Sequence, residues 1–188
     1  MQQFYDSIMR KETTYYHASL VAELSGLIAK ETGESEENTA MIVEAARLHD
    51  IGKNYLPQEL LNKPGKLTTE EYDKVKHHAE YGFDHIVRHI KCMMLAAIIA
   101  LQHHEFMDGS GYAGSQQIHT YAKMVAVADV FDALVSERPY KSPWPPSEVI
   151  EHMEKARGTQ FHPLYLDTMM GMMDEILVLY EKSGVQAS

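Results

Sequence analysis

The sequence predicts an all-α fold. Apolar residues recur at the spacing of an amphipathic helix along most of the chain, and no segment keeps the alternation of a β-strand. Residues typical of helix starts and ends separate the periodic segments. The chain has 188 residues, 45% of them hydrophobic, which suffices for one sizeable core. We therefore expect residues 1–188 to form a single domain, a bundle of about seven to nine helices.

The first helix is predicted over 13–30. Its apolar positions Leu20, Leu24 and Ile28 lie on one stripe, and His17 falls on the same stripe. Because this stripe faces the core, the imidazole of His17 should also point inward.

The second helix should start after Ser35, a residue typical of N-caps, and stop at Gly52. Glycine readily adopts the left-handed conformation that often follows the last helical turn, which places the end there. The adjacent pair His49 and Asp50 would then occupy the last turn of this helix.

Capping patterns and periodicity locate the remaining helices. A short helix is predicted over 57–61, and Thr68 and Glu71 match a capping box at the start of another helix. Leu67 and Tyr72 are spaced to pack against each other as a hydrophobic staple. Further helices are expected at 78–90, 93–105, 118–136, 146–156 and 163–182.

The net charge and the cysteine content exclude several functional classes. A formal charge of −10 argues against a groove for a nucleic-acid polymer, which requires clustered lysine and arginine. Cys92 is the only cysteine, so no intrachain disulfide can form, and the N-terminal residues lack the order of a secretory signal. The longest apolar run, at 92–101, is too short to cross a bilayer. We therefore expect a cytoplasmic protein without membrane insertion.

A set of polar residues lies on or beside helices whose inner faces are otherwise apolar. The set is His17, His49, Asp50, His78, His103, His104, Asp129 and Asp132. One buried histidine alone is usually a hydrogen-bonded core residue. Several buried imidazoles and carboxylates without partners would each cost about 1–3 kcal/mol, whereas bound cations would satisfy them together. Ligands of these two types, without thiolate, suit Fe, Mn, Ni or Zn.

The adjacent pair His49 and Asp50 is the most informative part of this set. A carboxylate can bridge two cations while the neighbouring imidazole binds one of them, so one helix end can anchor a two-metal centre. In such a centre His103 and His104 would each face a different cation, because neighbouring side chains on a helix point about 100° apart.

Five motifs occur in the order found in one known family. They are HDIGK at 49–53, HHAEYG at 77–82, HHEFMDGSGY at 103–112, AVADVFDALVSERPYK at 126–141 and GTQFHP at 158–163. Together they resemble an HD-GYP domain, the branch of the HD metal-dependent phosphohydrolases that hydrolyses the bacterial messenger cyclic di-GMP. The resemblance covers a motif core at 13–163, and the C-terminal helix at 163–182 follows it.

The resemblance implies a role for each motif residue. The implied metal ligands are His17, His49, Asp50, His78, His103, His104 and Asp129, with Asp50 bridging two divalent cations, Fe or Mn first and Ni or Zn as alternatives. The implied substrate-binding residues are Lys53, Gly109, Gly111, Tyr112, Arg138 and Lys141. Asp132 would hold a metal ligand in its orientation. Without the resemblance, Arg138 and Lys141 would be assigned to a solvated helix end.

The implied reaction opens cyclic di-GMP to the linear dinucleotide pGpG, with slow further cleavage to GMP. A water or hydroxide between two cations has its pKa lowered toward about 7 and attacks phosphorus in line. Asp50 and Lys53 would be the catalytic residues, with Lys53 reaching the scissile phosphate or the leaving oxygen. The loop glycines would let the backbone approach the dinucleotide closely.

The sequence departs from the family pattern at two informative positions. Ala113 stands where the family has the proline of Gly-Tyr-Pro, which should leave this loop less restrained. Thr13 stands where family members with three metals carry a glutamate, so two cations per chain are predicted. Two alternatives stay open: a cyclic di-GMP sensor or partner-binding module with little turnover, and an HD phosphohydrolase of another nucleotide. A signalling-protein partner or a homodimer is compatible with each.

Overall fold

The computed structural model describes residues 12–112, 114–115, 117–137 and 142–183. Every regular element in this part of the chain is helical, and the only extended pairing within it is an isolated bridge between Arg157 and Phe161. The predicted all-α fold is therefore confirmed.

The helical elements follow the predicted order closely. They are α1 (Glu12–Glu31), α2 (Glu36–Ala46), a 3-10 helix (Ile51–Tyr55), α3 (Gln58–Leu61), α4 (Thr69–Lys76), α5 (His78–His89), α6 (Met94–Gln102), α7 (Thr120–Val135), α8 (Pro146–Lys155), α9 (Pro163–Gly171) and α10 (Met173–Ser183). The predicted caps explain two of the starts. The Ser35 hydroxyl accepts the Asn38 N–H ahead of α2, and Thr68 and Glu71 form the complete capping box of α4.

The end of α2 differs from the prediction. The helix ends at Ala46, and the chain then tightens, with the His49 N–H donating to the Ala46 carbonyl. Gly52 lies within the 3-10 helix and has no positive φ. It is required for another reason, since a Cβ added there would lie 1.9 Å from the carbonyl oxygen of His78. Close packing of the 3-10 helix on α5, rather than a left-handed cap, accounts for this glycine.

Two further helix ends also differ from the prediction. Helix α6 ends at Gln102, so His103 and His104 lie beyond it rather than in its last turn. The expected helix at 163–182 is divided at Met172 into α9 and α10. Gly171 ends α9, consistent with the low helix propensity of glycine.

One hydrophobic core connects the helices and brings the polar set together. Helix α1 packs against α2 and α7, while α6 packs against α2, α5 and α7. The core includes Leu24, Ile42, Ile99, Phe131 and Tyr180, all fully buried. The C-terminal ends of α2 and α6, the start of α5, the first half of α1 and the middle of α7 meet at its edge. Within the described ranges, none of the helices combines the length and the apolarity needed to span a membrane.

Candidate metal centre

The seven predicted metal ligands converge from five parts of the fold. His17 lies on α1, His49 and Asp50 follow α2, His78 opens α5, His103 and His104 follow α6, and Asp129 lies on α7. His49, Asp50, His78 and His103 are each no more than 2% exposed, whereas His17 and Asp129 border solvent. The cluster therefore has a closed inner side and an open outer side.

Asp50 lies at the centre with its two carboxylate oxygens facing different imidazoles. Its Oδ1 is 3.3 Å from Nε2 of His78 and 3.7 Å from Nε2 of His103. Its Oδ2 is 3.4 Å from Nε2 of His49 and 3.7 Å from Nε2 of His17. A carboxylate with this surrounding can bind one cation through each oxygen.

The possible ligand atoms form three sets, two of which share Asp50. One set contains Asp50, His78, His103 and His104, and another contains His17, His49 and Asp50; within each, the ligand atoms lie within 4.8 Å of one another. Asp129 joins His49 and His103 in a third set, and its Oδ1 is 3.1 Å from Nε2 of His17.

The adjacent histidines share one of the ligand sets. His103 and His104 belong to the same set with Asp50, and their ring centroids are only 4.0 Å apart. His103 also joins His49 and Asp129 in a set without His104, so whether each histidine faces a different cation stays a prediction.

Three of the histidines are oriented by the same local structure. Each follows a helix end, and its Nδ1–H donates to the carbonyl three residues earlier: His49 to Ala46 (2.8 Å), His78 to Val75 (2.7 Å) and His103 to Ala100 (3.0 Å). The last carbonyls of a helix have no partner further along the helix, so they are available as acceptors. This arrangement sets the tautomer and leaves each Nε2 facing the centre.

His17 is oriented by a side chain instead. Its Nδ1 lies 2.5 Å from Oδ2 of Asp132, which leaves Nε2 for the cluster. The other oxygen of Asp132 accepts hydrogen bonds from the hydroxyls of Ser136 and Tyr180. The fully buried Asp132 thus makes the contact that an orienting group requires.

The buried atoms of the cluster fit a cation. Nε2 of His49 and Oδ1 of Asp50 are buried and have no hydrogen-bond partner among the described residues. Leaving such atoms unsatisfied costs about 1–3 kcal/mol each. A divalent cation would satisfy both, and imidazole with carboxylate is a donor set that transition metals accept.

The pKa values of three imidazoles also favour metal binding. Burial lowers the pKa of His78, lowers that of His103 well below its usual range, and lowers that of His104 to about 4. These rings are therefore neutral near pH 7, and a neutral imidazole is the form that binds a metal.

The remaining pKa shifts in the cluster concern His17, which is held in its positively charged form, and Asp50 and Asp129, which are held in their negatively charged forms. Burial would lower the pKa of His17, but its hydrogen bonds to Asp129 and Asp132 outweigh burial and raise it to about 9. Burial would raise the pKa of Asp50, but the ammonium of Lys53 and the His49 imidazole hold it well below its usual range. The pKa of Asp129 is likewise held low against burial, mainly by His17. The carboxylates are therefore ionised and ready to bind cations.

Lys53 and Tyr112 lie on the open side of the cluster. The Lys53 ammonium is 2.5 Å from Oδ2 of Asp50 and its side chain is 27% exposed. The Tyr112 ring stacks on His104 with centroids 4.5 Å apart. Its hydroxyl is 2.7 Å from that of Tyr72.

The loop glycines are explained by the chain itself. Gly109 has a φ of +82°, which favours glycine in a turn. A Cβ at Gly111 would lie 2.5 Å from Cα of Glu105, because the loop folds back on the residues after His104. Both glycines thus have a conformational reason that requires no ligand.

Some predicted residues cannot be placed, and one further histidine pair lies outside the cluster. Arg138, Lys141 and Ala113 lie outside the described residues, as does the Thr13 side chain. His85 and His89, spaced like a metal pair, lie on α5 beside Tyr55 and outside the three ligand sets.

Three residues near the site were not predicted to belong to it. The buried carboxylate of Glu105 accepts the Ser115 N–H, and only its position directly after the two histidines could have indicated it. Tyr72 and Lys76 of α4 contact Tyr112. Neither could have been found from local sequence, because the contact joins segments about 40 residues apart.

Comparisons with known proteins identify the family. The family model described as HD domain matches residues 5–164. The chain is 41% identical over 177 residues to a protein of Thermotoga maritima named cyclic di-GMP phosphodiesterase, covering 92% of this chain and 48% of that protein. It is 36% identical over 174 residues to a protein of Vibrio cholerae named 3'3'-cGAMP-specific phosphodiesterase 2, covering 90% of this chain and 33% of that one. The chain thus spans half or less of the length of these relatives.

The solved structures agree with the fold. An HDG"Y"P protein from Bdellovibrio bacteriovorus superposes with a TM-score of 0.71 at 20% identity, covering 93% of this chain and 58% of that one. The family match over most of the chain leads to one conclusion: the chain belongs to the HD domain family, and its ordered motifs around Asp50 resemble those of the HD-GYP branch.

Proposed function

We propose that this chain is a metal-dependent phosphodiesterase that hydrolyses cyclic di-GMP to pGpG, with slow further cleavage to GMP. The observation that carries the proposal is the position of Asp50, with one oxygen facing His78 and His103 and the other facing His17 and His49. The name of the Thermotoga maritima relative supports cyclic di-GMP as the substrate.

The proposed centre holds two divalent cations per chain, Fe or Mn first and Ni or Zn as alternatives. One is assigned to Asp50, His78, His103 and His104, and the other to His17, His49, Asp50 and Asp129. Cations at these positions would supply an activated water at neutral pH and would neutralise charge on the phosphate. The hydrogen bonds on Nδ1 of His49, His78 and His103 support the assignment, because they leave every Nε2 directed at the centre.

The chain's own residues would bind and orient the phosphodiester. The water oxygen adds to phosphorus while the bond from phosphorus to the 3′ oxygen breaks, and the leaving oxygen takes up a proton. Lys53, on the open side, is assigned to stabilise the negative charge of the scissile phosphate or of this oxygen. Tyr112 is assigned to donate its hydroxyl proton to a phosphate oxygen. Arg138 and Lys141 are assigned to the phosphates through the family resemblance alone.

A second substrate is favoured by one specific observation. The Vibrio cholerae relative at 36% identity is named for 3'3'-cGAMP. Both molecules present the same cyclic sugar-phosphate backbone, and the residues assigned above would contact phosphate rather than a base. The base preference is therefore decided by residues other than these.

The test is a time course with metal-loaded protein. Cyclic di-GMP and 3'3'-cGAMP are incubated separately with protein loaded with Mn or, anaerobically, with Fe, and substrate, linear dinucleotide and monophosphates are resolved. We expect the linear dinucleotide to accumulate first. Tight binding of cyclic di-GMP without turnover under both metals would reject the enzyme and favour the sensor or partner-binding module.

We also propose a cytoplasmic location and one domain over residues 1–188. A signalling-protein partner or a homodimer remains a proposal as well, and size-exclusion chromatography with light scattering tests the dimer directly.

A further inference from the structure

Helix α4 carries two residues that the proposed mechanism does not use and that touch its open side. The hydroxyl of Tyr72 lies 2.7 Å from that of Tyr112, and the two rings meet edge to face with centroids 6.0 Å apart. The Lys76 ammonium lies 5.0 Å from the centroid of the Tyr72 ring and 5.8 Å from that of Tyr112. A cation over aromatic rings attracts both of them. Tyr72 and Lys76 therefore both contact the Tyr112 side chain from α4.

Tyr112 also contacts the candidate metal centre. Its ring lies 4.5 Å from that of His104 with an angle of 34° between the planes. A continuous line of contacts thus runs from Tyr72 through Tyr112 to His104.

Two hydrogen bonds from backbone N–H groups tie described residues on either side of Tyr112 to the rest of the chain. The Asp108 N–H donates to the carbonyl of Thr159, and the Ser115 N–H donates to Glu105. The hydroxyl contact with Tyr72 acts between these two points, at the residue whose side chain faces the cluster.

The chemistry of two hydroxyls makes this contact useful for binding phosphate. Each hydroxyl can donate one proton and accept through its oxygen. When Tyr72 donates to Tyr112, the proton of Tyr112 stays available for a phosphate oxygen, and the bond it accepts strengthens the one it donates.

We propose that Tyr72 is a positioning residue, whose hydroxyl holds Tyr112 against His104 and directs the Tyr112 proton toward a phosphate of the cyclic dinucleotide. This inference rests on the proposed function. The role differs from that of the hydrophobic staple, because it depends on the hydroxyl and not on the ring.

The test is a double-mutant cycle with Tyr72→Phe, Tyr112→Phe and the double variant. In Tyr72→Phe, KM for cyclic di-GMP should rise about fivefold, the effect of one neutral hydrogen bond, while kcat and metal content stay near those of the parent. Tyr112→Phe should raise KM by a larger factor, and the double variant should match Tyr112→Phe. The reason is that the Tyr72 hydroxyl loses this hydrogen-bond partner once Tyr112 lacks its own hydroxyl. Tyr121→Phe is the matched control, since it removes a tyrosine hydroxyl bonded to Glu34 and should leave the kinetics unchanged.

Hydrogen exchange of the metal-free proteins gives a second readout that does not depend on activity. Amides of the 106–115 segment should exchange faster in each single variant than in the parent protein. In the double variant they should exchange no faster than in the single variants. Additive effects in either experiment, or parent kinetics in Tyr72→Phe, would overturn the proposal. Absence of turnover in the parent protein would reject the proposed function, and the exchange result would still decide whether Tyr72 holds the loop.

Discussion

Replacement of Asp50 by asparagine should remove both cations, whereas loss of a single imidazole should remove one. Asparagine keeps the shape of the side chain but loses the charge that faces two sets of imidazoles, at 3.3 to 3.7 Å. At about 4 Å and an effective dielectric constant of about 20, one pair of unit charges is worth about 4 kcal/mol. This corresponds to about a thousandfold in affinity, and desolvation offsets part of it, so we expect a loss of at least about 100-fold for each cation.

The assay compares bound metal with activity in Asp50→Asn and His78→Ala. Elemental analysis of protein purified without chelator should find close to two cations per chain in the parent, about one in His78→Ala and almost none in Asp50→Asn. Thermal unfolding in the presence of chelator checks that both variants remain folded. Two bound cations and near-normal turnover in Asp50→Asn would refute the assignment of Asp50 as the bridge, and a reproducible value near three in the parent would refute the two-metal count.

Four further predictions test other parts of the site. Gly52→Ala should lower the free energy of unfolding by about 2 kcal/mol or more, because its Cβ would lie 1.9 Å from the His78 carbonyl. The control is Gly171→Ala, whose Cβ would have nothing within 4 Å, and urea unfolding of this variant should show no loss of stability. Asp132→Asn should weaken metal affinity about 10- to 100-fold through the orientation of His17, as measured by chelator competition; unchanged affinity would contradict that role. Lys53→Met should lower kcat at unchanged metal content, and full kcat would remove Lys53 from the mechanism. The metal-free protein should lose stability as the pH falls from 6.5 to about 4, because burial lowers the pKa of His104 to about 4 in the folded chain, and the pKa values of His78 and His103 are lowered as well. The contribution of His104 is complete above pH 6.5 and amounts to about 3 kcal/mol at most. Urea unfolding at several pH values checks this, and His104→Gln should make the loss of stability smaller.

The helices could be predicted because their signals are local. Apolar periodicity and caps act over a few residues, so Ser35 and the pair of Thr68 and Glu71 marked the starts of α2 and α4 correctly. The same locality explains the error at Gly52. A glycine required by a neighbouring element has the same sequence signature as a glycine that ends a helix, and only the packing on His78 distinguishes them.

The sequence alone determined the all-α class and the residues of the candidate centre, since buried imidazoles and carboxylates stand out among apolar positions and their motifs match one family. Tertiary structure decided how the residues are used. It placed the two oxygens of Asp50 toward different imidazoles. It also joined Tyr72 to Tyr112 across 40 residues of chain. The physical reason is that a local pattern specifies the conformation and burial of a segment, whereas the direction of a polar atom depends on groups that only the packing of distant segments brings near.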